Sequence, residues 1–189
     1  MGMPIEEYRK ILQMDNGYKK NVNRQLQGRI NHELGKTFEE QIESICDVYK
    51  LNNLAIIEKT PEPMKVLRHI ENGLFETVFT KSAQPDFKGT LKGGQTIVFD
   101  AKFTESEKIT YQALSDFQRE TLTNYSEFGA MAFVLVGFSD GSMYKIDIET
   151  WNDMKIIFGR KHIKHEELEK MSIKAKRAKN GIIDFLGIL

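Results

Sequence analysis

A single cysteine in 189 residues leaves no partner for an internal disulfide. Cys46 falls among the apolar positions of a predicted helix, which reads as a buried structural thiol. Long apolar runs are missing too: the longest, "AMAFVLVGF", has nine residues, against the roughly 20 that a membrane-spanning helix needs. No basic leader with an apolar stretch and a cleavage site opens the sequence, so a cytoplasmic location and no membrane partner are expected. There is no GxxxxGK[ST] loop to cradle phosphates, and no ATP use is inferred. His162 and His165 have no cysteine or third histidine nearby, so zinc is not expected. Net charge is absent as well, with 27 Lys and Arg balancing 27 Asp and Glu. Taken alone, that balance argues against a nucleic-acid partner.

The distribution of charge argues the other way. Between Asn16 and His32 there are four basic residues, Lys19, Lys20, Arg24 and Arg29, and no acid. Between Lys155 and Lys179 there are nine Lys and Arg against three Glu. Either run is equally readable as a solvated face. With 40% hydrophobic and 29% charged residues, the chain is a globular protein long enough for one full core.

Residues 1–34 are polar, broken by Gly17 and Gly28, and read as a partly ordered basic arm. One domain is expected over 35–189. Its first helix, "GKTFEEQIESICDVYKLNN", turns Phe38, Ile42, Ile45, Cys46 and Tyr49 to one face, with Thr37 as the cap. "LAIIEK" is a strand stopped by "TPEP". An insert at about 64–82 suggests an irregular hairpin with a turn at Asn72-Gly73. A hairpin turning at Gly93-Gly94 leads into the strand "QTIVFDAKF". "TYQALSDFQRETLTNYSEF" is a second helix with Leu114, Phe117, Thr121, Leu122 and Tyr125 inward. "AMAFVLVGF" is a continuous apolar strand, expected inside a sheet, and "SDG" turns it into "MYKIDI". "IETWNDMKIIF" and "KHEELEKM" read as helices, and "GIIDFLGIL" as a tail that docks. The order of elements predicts an α/β fold, a mixed β-sheet flanked by helices.

Within "QPDFKGTLKGGQTIVFDAKFT", charges stand where they cost free energy unless used. Alternation along the strand puts Val98, Asp100 and Lys102 on one face, read as the outer one, and Ile97, Phe99, Ala101 and Phe103 on the other. The Gly93-Gly94 turn folds Asp86 back towards them. Two carboxylates and an ammonium group then converge, a set that suits a hard divalent ion such as Mg²⁺. Such an ion polarises a phosphoryl oxygen and lowers the pKa of bound water. Such patterns are common, and the bare one by itself reads more often as a plain salt bridge between Asp100 or Asp86 and Lys102 on a solvated hairpin.

Pro85-Asp86 followed by Asp100-Ala101-Lys102 resembles the PD-(D/E)xK nuclease signature. "GKTFEEQI", "KTPEP", "PDFKG", "IVFDAKFT", the helix holding Gln118, "AFVLVGF" and "GRKHIKHEELEK" resemble, in the same order, the RecU family of Holliday junction resolvases over roughly residues 28–189. The resemblance implies a restriction-endonuclease-like core with a protruding stalk at about 64–82, working as a homodimer. It implies a Mg²⁺-dependent endonuclease, with Mn²⁺ substituting, that resolves four-way DNA junctions by paired nicks leaving 5′-phosphate ends. A strand-exchange recombinase would be a further partner. Asp86, Asp100 and the backbone carbonyl of Ala101 would be metal ligands, and Lys102 the water-orienting base or electrostatic stabiliser. Glu39 would hold the metal through water, its alternative being a surface helix glutamate. Gln118, on the inward stripe where an amide needs a partner, would belong to the active site. Lys65, Arg68 and Lys81 would contact phosphate, and Phe75 and Phe79 would wedge or stack, unless the insert is a packed hairpin or dimer contact. Arg160, Lys161 and Lys164 would also meet DNA. Two features depart from the family pattern: Asp100 stands where glutamate is commoner, and the pair Gln84-Pro85 where small hydroxyl residues are. A duplex nuclease on the same core and a non-catalytic junction binder remain the competing readings.

Overall fold

The computed structural model describes residues 34–61, 64–69, 75–79, 84–171, 174–178 and 181–189. The chain divides into two units, Met1–Thr37 and Phe38–Leu189, and the sheet and the side chains that cover it belong to the second. The basic residues of the expected N-terminal arm, Lys19 to Arg29, lie outside the described residues.

Helix α1 covers residues 34–51. Phe38, Ile42, Ile45, Cys46 and Tyr49 are all buried, the single apolar face their spacing predicts. Thr37, expected as the cap, lies inside the helix. Burial, reinforced by Asp47 and Glu43, pushes the Cys46 thiol up to about 12, so it stays protonated and inert.

The elements that follow are β1 (Ala55–Lys59), β2 (Met64–His69), β3 (Phe75–Phe79), β4 (Phe87–Leu91), β5 (Thr96–Thr104) and β6 (Lys108–Thr110). Then come α2 (Asp116–Glu127), β7 (Met131–Phe138), β8 (Met143–Asp147), α3 (Ile148–Asn152) and α4 (Met154–Phe158). The chain ends with β9 (His162–Lys164), α5 (His165–Lys170), β10 (Lys176–Arg177) and β11 (Ile183–Asp184).

One mixed sheet has the order β1-β4-β5-β7-β8. Its β5–β7 pair is parallel and its other pairs are antiparallel. A parallel pair needs a crossover, which the segment holding β6 and α2 provides. The β4–β5 hairpin turns where expected, with Gly93 and Gly94 at φ of 104° and 96°, a region that only glycine enters freely.

Both faces of the sheet are covered. On one, α1 packs over Ala55, Ile57, Phe87, Phe99, Phe133 and Leu135. Phe87, Phe99 and Phe133 stack across three strands, with ring centroids 4.9 and 4.7 Å apart. On the other, Val98, Val134, Val136 and Ile146 pack with Leu122 of α2, Trp151, Met154, Ile163 and Leu168. The strand face that carries Asp100, expected to be the outer one, is therefore interior.

Other expectations need correction too. The predicted second helix starts only at Asp116, capped by Ser115. Leu114 is buried before the helix begins, while Phe117, expected inward, is 48% exposed. "IETWNDMKIIF" forms two five-residue helices meeting at Asp153. The short pair β6–β9 has no counterpart among the elements expected from the sequence.

The tail docks as expected, with Ile183 and Phe185 in the first core. Asp184 accepts hydrogen bonds from the Tyr49 hydroxyl and from the backbone N–H groups of Gly187 and Leu189, each 2.8 Å. Strands β2 and β3 form a separate two-stranded antiparallel sheet with an irregularity between Val66 and Arg68. The expected Asn72-Gly73 turn lies outside the described residues.

Candidate active site

Strand pairing builds the site. Phe87 lies opposite Phe99, so Asp86, one residue earlier, comes alongside Asp100 on the face covered by α2. The Asp86 carboxylate is fixed there by the Ala101 N–H, which donates to its Oδ2 at 2.9 Å. Lys102 Nζ stands 3.6 Å from Asp100 Oδ1 and 3.8 Å from Asp86 Oδ2. Asp86, Asp100 and Lys102 are thus brought together, and their environments differ. The Asp86 side chain is 26% exposed and that of Asp100 not at all.

Helix α2 supplies the fourth member. Ser115 and Gln118 form a reciprocal cap, in which the Gln118 N–H donates to Ser115 Oγ at 3.2 Å and Gln118 Oε1 accepts from the Ser115 N–H at 3.0 Å. That cap fixes the Gln118 side chain. Its Nε2 then donates to Asp100 Oδ1, at 2.9 Å. The spacing Ser115-x-x-Gln118 is the signal in the sequence that marks the helix start, and an expectation built on the apolar stripe alone passes over it.

Asp100 Oδ2 remains buried without a hydrogen-bond partner. Burial and the neighbouring Asp86 push the Asp100 carboxyl up to about 7, with Lys102 pulling the other way. A buried carboxylate oxygen with no donor is costly unless a cation meets it. The donors here are all oxygen, two carboxylates with the Ala101 carbonyl next to Asp100 in sequence, and that chemistry suits a hard divalent ion completed by water and phosphate. Among the described residues no three His, Cys, Asp or Glu side chains converge on one metal position, so the protein side of such a site rests on the pair.

Glu39 forms an ion pair: its Oε2 lies 3.0 Å from Lys59 Nζ, which reaches Glu43 at the same distance. Lys59, in the "KTPEP" segment, sits opposite Phe87, and the next residue, Thr60, donates its N–H to the Asp86 carbonyl at 2.8 Å. Nothing in the sequence pattern singles out Lys59 for this position.

Of the residues expected to meet DNA, Arg160 pairs with Glu167 and donates to the Phe158 carbonyl at 2.9 Å. Lys164 pairs with Glu166 at 3.3 Å, and Lys161 lies 5.0 Å from the centre of the Tyr111 ring. Arg68 is exposed on β2. The side chains of Lys65, Phe75 and Phe79, and the whole of Lys81, lie outside what is described. A cavity of about 400 Å³ lined by residues including Lys50, Ile56, Thr90 and Lys92 sits at the far end of β4 from Asp86 and holds none of the carboxylates.

The family model described as Recombination protein U matches residues 33–189. The Holliday junction resolvase RecU of Oenococcus oeni is 29% identical over 169 residues, covering 82% of this chain and 83% of its own. The protein of the same name from Bacillus subtilis is 26% identical over 165 residues, covering 82% and 79%. Among solved structures, the Holliday junction resolvase Hjc of Archaeoglobus fulgidus gives a TM-score of 0.41 at 14% identity, over 61% of this chain and 74% of its own.

Proposed function

The chain belongs to the Recombination protein U family, and we propose from that premise that it resolves four-way DNA junctions by metal-dependent phosphodiester hydrolysis at Asp86, Asp100 and Lys102. The observation that carries the metal site is the orphaned Asp100 Oδ2, buried beside a second carboxylate. A divalent ion held there, Mg²⁺ by preference, would supply polarisation of a phosphoryl oxygen and a lowered pKa for bound water.

The chain's own groups divide the work. Asp86 is held in place by the Ala101 N–H, and the Ala101 carbonyl is the third proposed ligand. Gln118 occupies Asp100 Oδ1, which stops the carboxylate from rotating and leaves Oδ2 as the donor. Lys102 lies within 4 Å of both acids. There its ammonium group orients the attacking water and stabilises negative charge that develops on the phosphate. Glu39, tied to Lys59, acts only through water.

A four-way junction is close to two-fold symmetric and needs two cuts at related positions. A homodimer presents two such sites in matching orientation. The separate two-stranded β2–β3 sheet is the candidate for entering the junction centre.

The test is Asp86→Asn. Cleavage should be lost while junction binding persists, since removing a negative charge beside DNA does not weaken phosphate attraction. Full cleavage by the purified variant in Mg²⁺ would overturn the assignment.

A further inference from the structure

Lys88 lies on β4 two residues beyond Asp86. Its partner across the β4–β5 pair is Val98, so it shares the face of Asp86 and Asp100. Most cations around this site are matched by acids: Lys59 by Glu39 and Glu43, Lys102 by Asp86 and Asp100, Arg119 by Asp116. Lys88 is held by neutral groups instead. Its Nζ donates to Gln84 Oε1 at 2.7 Å and lies 5.5 Å from the centre of the Tyr125 ring of α2. Glu58 is its cross-strand neighbour on β1 and is exposed, but no ion pair joins the two among the described residues. The ammonium group is therefore pre-positioned without being neutralised.

On this geometry we propose that Lys88, steered by Gln84 and Tyr125, binds the DNA phosphate next to the one that is cut. The inference rests on the nuclease reading of Asp86 and Asp100. Two residues along a strand span about 6.7 Å, close to the spacing of consecutive phosphates along one nucleic-acid strand. A phosphate held at the carboxylate pair thus sets its neighbour beside Lys88. An ammonium group held by an amide oxygen and a ring face gives up little when a phosphate arrives, because its charge was never matched. Gln84 thereby acquires a role, because its amide oxygen holds the ammonium group in place. The contact fixes the register of the cut strand and reads no base.

Lys88→Met keeps the aliphatic stem over Tyr125 and removes only the charge. It should slow junction cleavage at sub-saturating enzyme on the order of tenfold, the range of a charge-assisted hydrogen bond. It should also reduce the salt slope of junction binding by about 0.9. The deciding experiment places one uncharged methylphosphonate immediately 5′ or immediately 3′ of the cut phosphate. On one of the two sides, the modification should slow the wild-type enzyme and add nothing to Lys88→Met. Independent, multiplying losses on both sides, or wild-type cleavage by Lys88→Met, would overturn the proposal. Asp86→Asn on the unmodified junction, run alongside, reports separately on the nuclease reading: cleavage there sinks the reading itself.

Discussion

Replacing Asp100 with asparagine should make the metal-free protein more stable while destroying its activity. The Asp100 side chain is wholly buried, and its carboxyl is pushed up to about 7 from an ordinary 3.8. The folded chain therefore binds this proton more tightly than the unfolded one. The cost is absent below about pH 4, accumulates as pH rises, and is complete above about pH 7. About three pH units correspond to roughly 4 kcal/mol of lost stability at alkaline pH. Asparagine removes that cost, which is already net of the attraction of Lys102, but its amide leaves an unmet donor at the Oδ2 position, worth about 1–3 kcal/mol. The net gain at about pH 8.5 should be ~1–3 kcal/mol, on the order of 5 °C in melting temperature for a domain of this size. Thermal melts in chelator at about pH 8.5 and about pH 5 read it out, and roughly two-thirds of the carboxylate's cost should be gone at the lower pH. Mg²⁺ should raise the wild-type midpoint at the higher pH and leave the variant unmoved. A variant no more stable than wild type at the higher pH would refute the reasoning, because the buried carboxylate would then not be a strained metal donor.

Lys102→Ala should lose turnover with only a modest loss of junction affinity, since its role lies in the transition state. Equal loss of affinity with an unchanged saturated rate would make it a plain phosphate contact. Replacing residues 66–79 with a short Gly/Ser linker should abolish preference for junctions over duplex more than it weakens duplex binding, as a competition assay would show. Light scattering should find a dimer on junction DNA, and a monomer there would favour a duplex nuclease.

The strands around the site were legible because their constraints are local. Glycines at φ above 90° turn the β4–β5 hairpin, and alternation along β5 puts Asp100 and Lys102 on one face whichever side is buried. That this face is interior could also have been read, from another strand. Residues 131–138 of β7 are apolar at every position, which means a strand covered on both sides. Its parallel partner β5 shares that cover. Phe117 faces outward because Leu114 precedes the helix, so a 3.6-residue pattern counted from Leu114 is out of phase with a helix whose cap is Ser115 with Gln118. Strands β6 and β9 have three residues each, too few for any periodicity to show. The ties of Glu39 to Lys59 and of Lys88 to Gln84 depend on side-chain reach, on which spacing along the chain is silent.

The most direct measurement incubates the protein with a labelled four-way junction and a linear duplex of matched sequence, each with and without Mg²⁺. Paired nicks at related positions in the junction, only with the metal present and with the duplex left intact, are the predicted result. Equal cutting of the duplex, or tight junction binding with no cleavage in either Mg²⁺ or Mn²⁺, would contradict it.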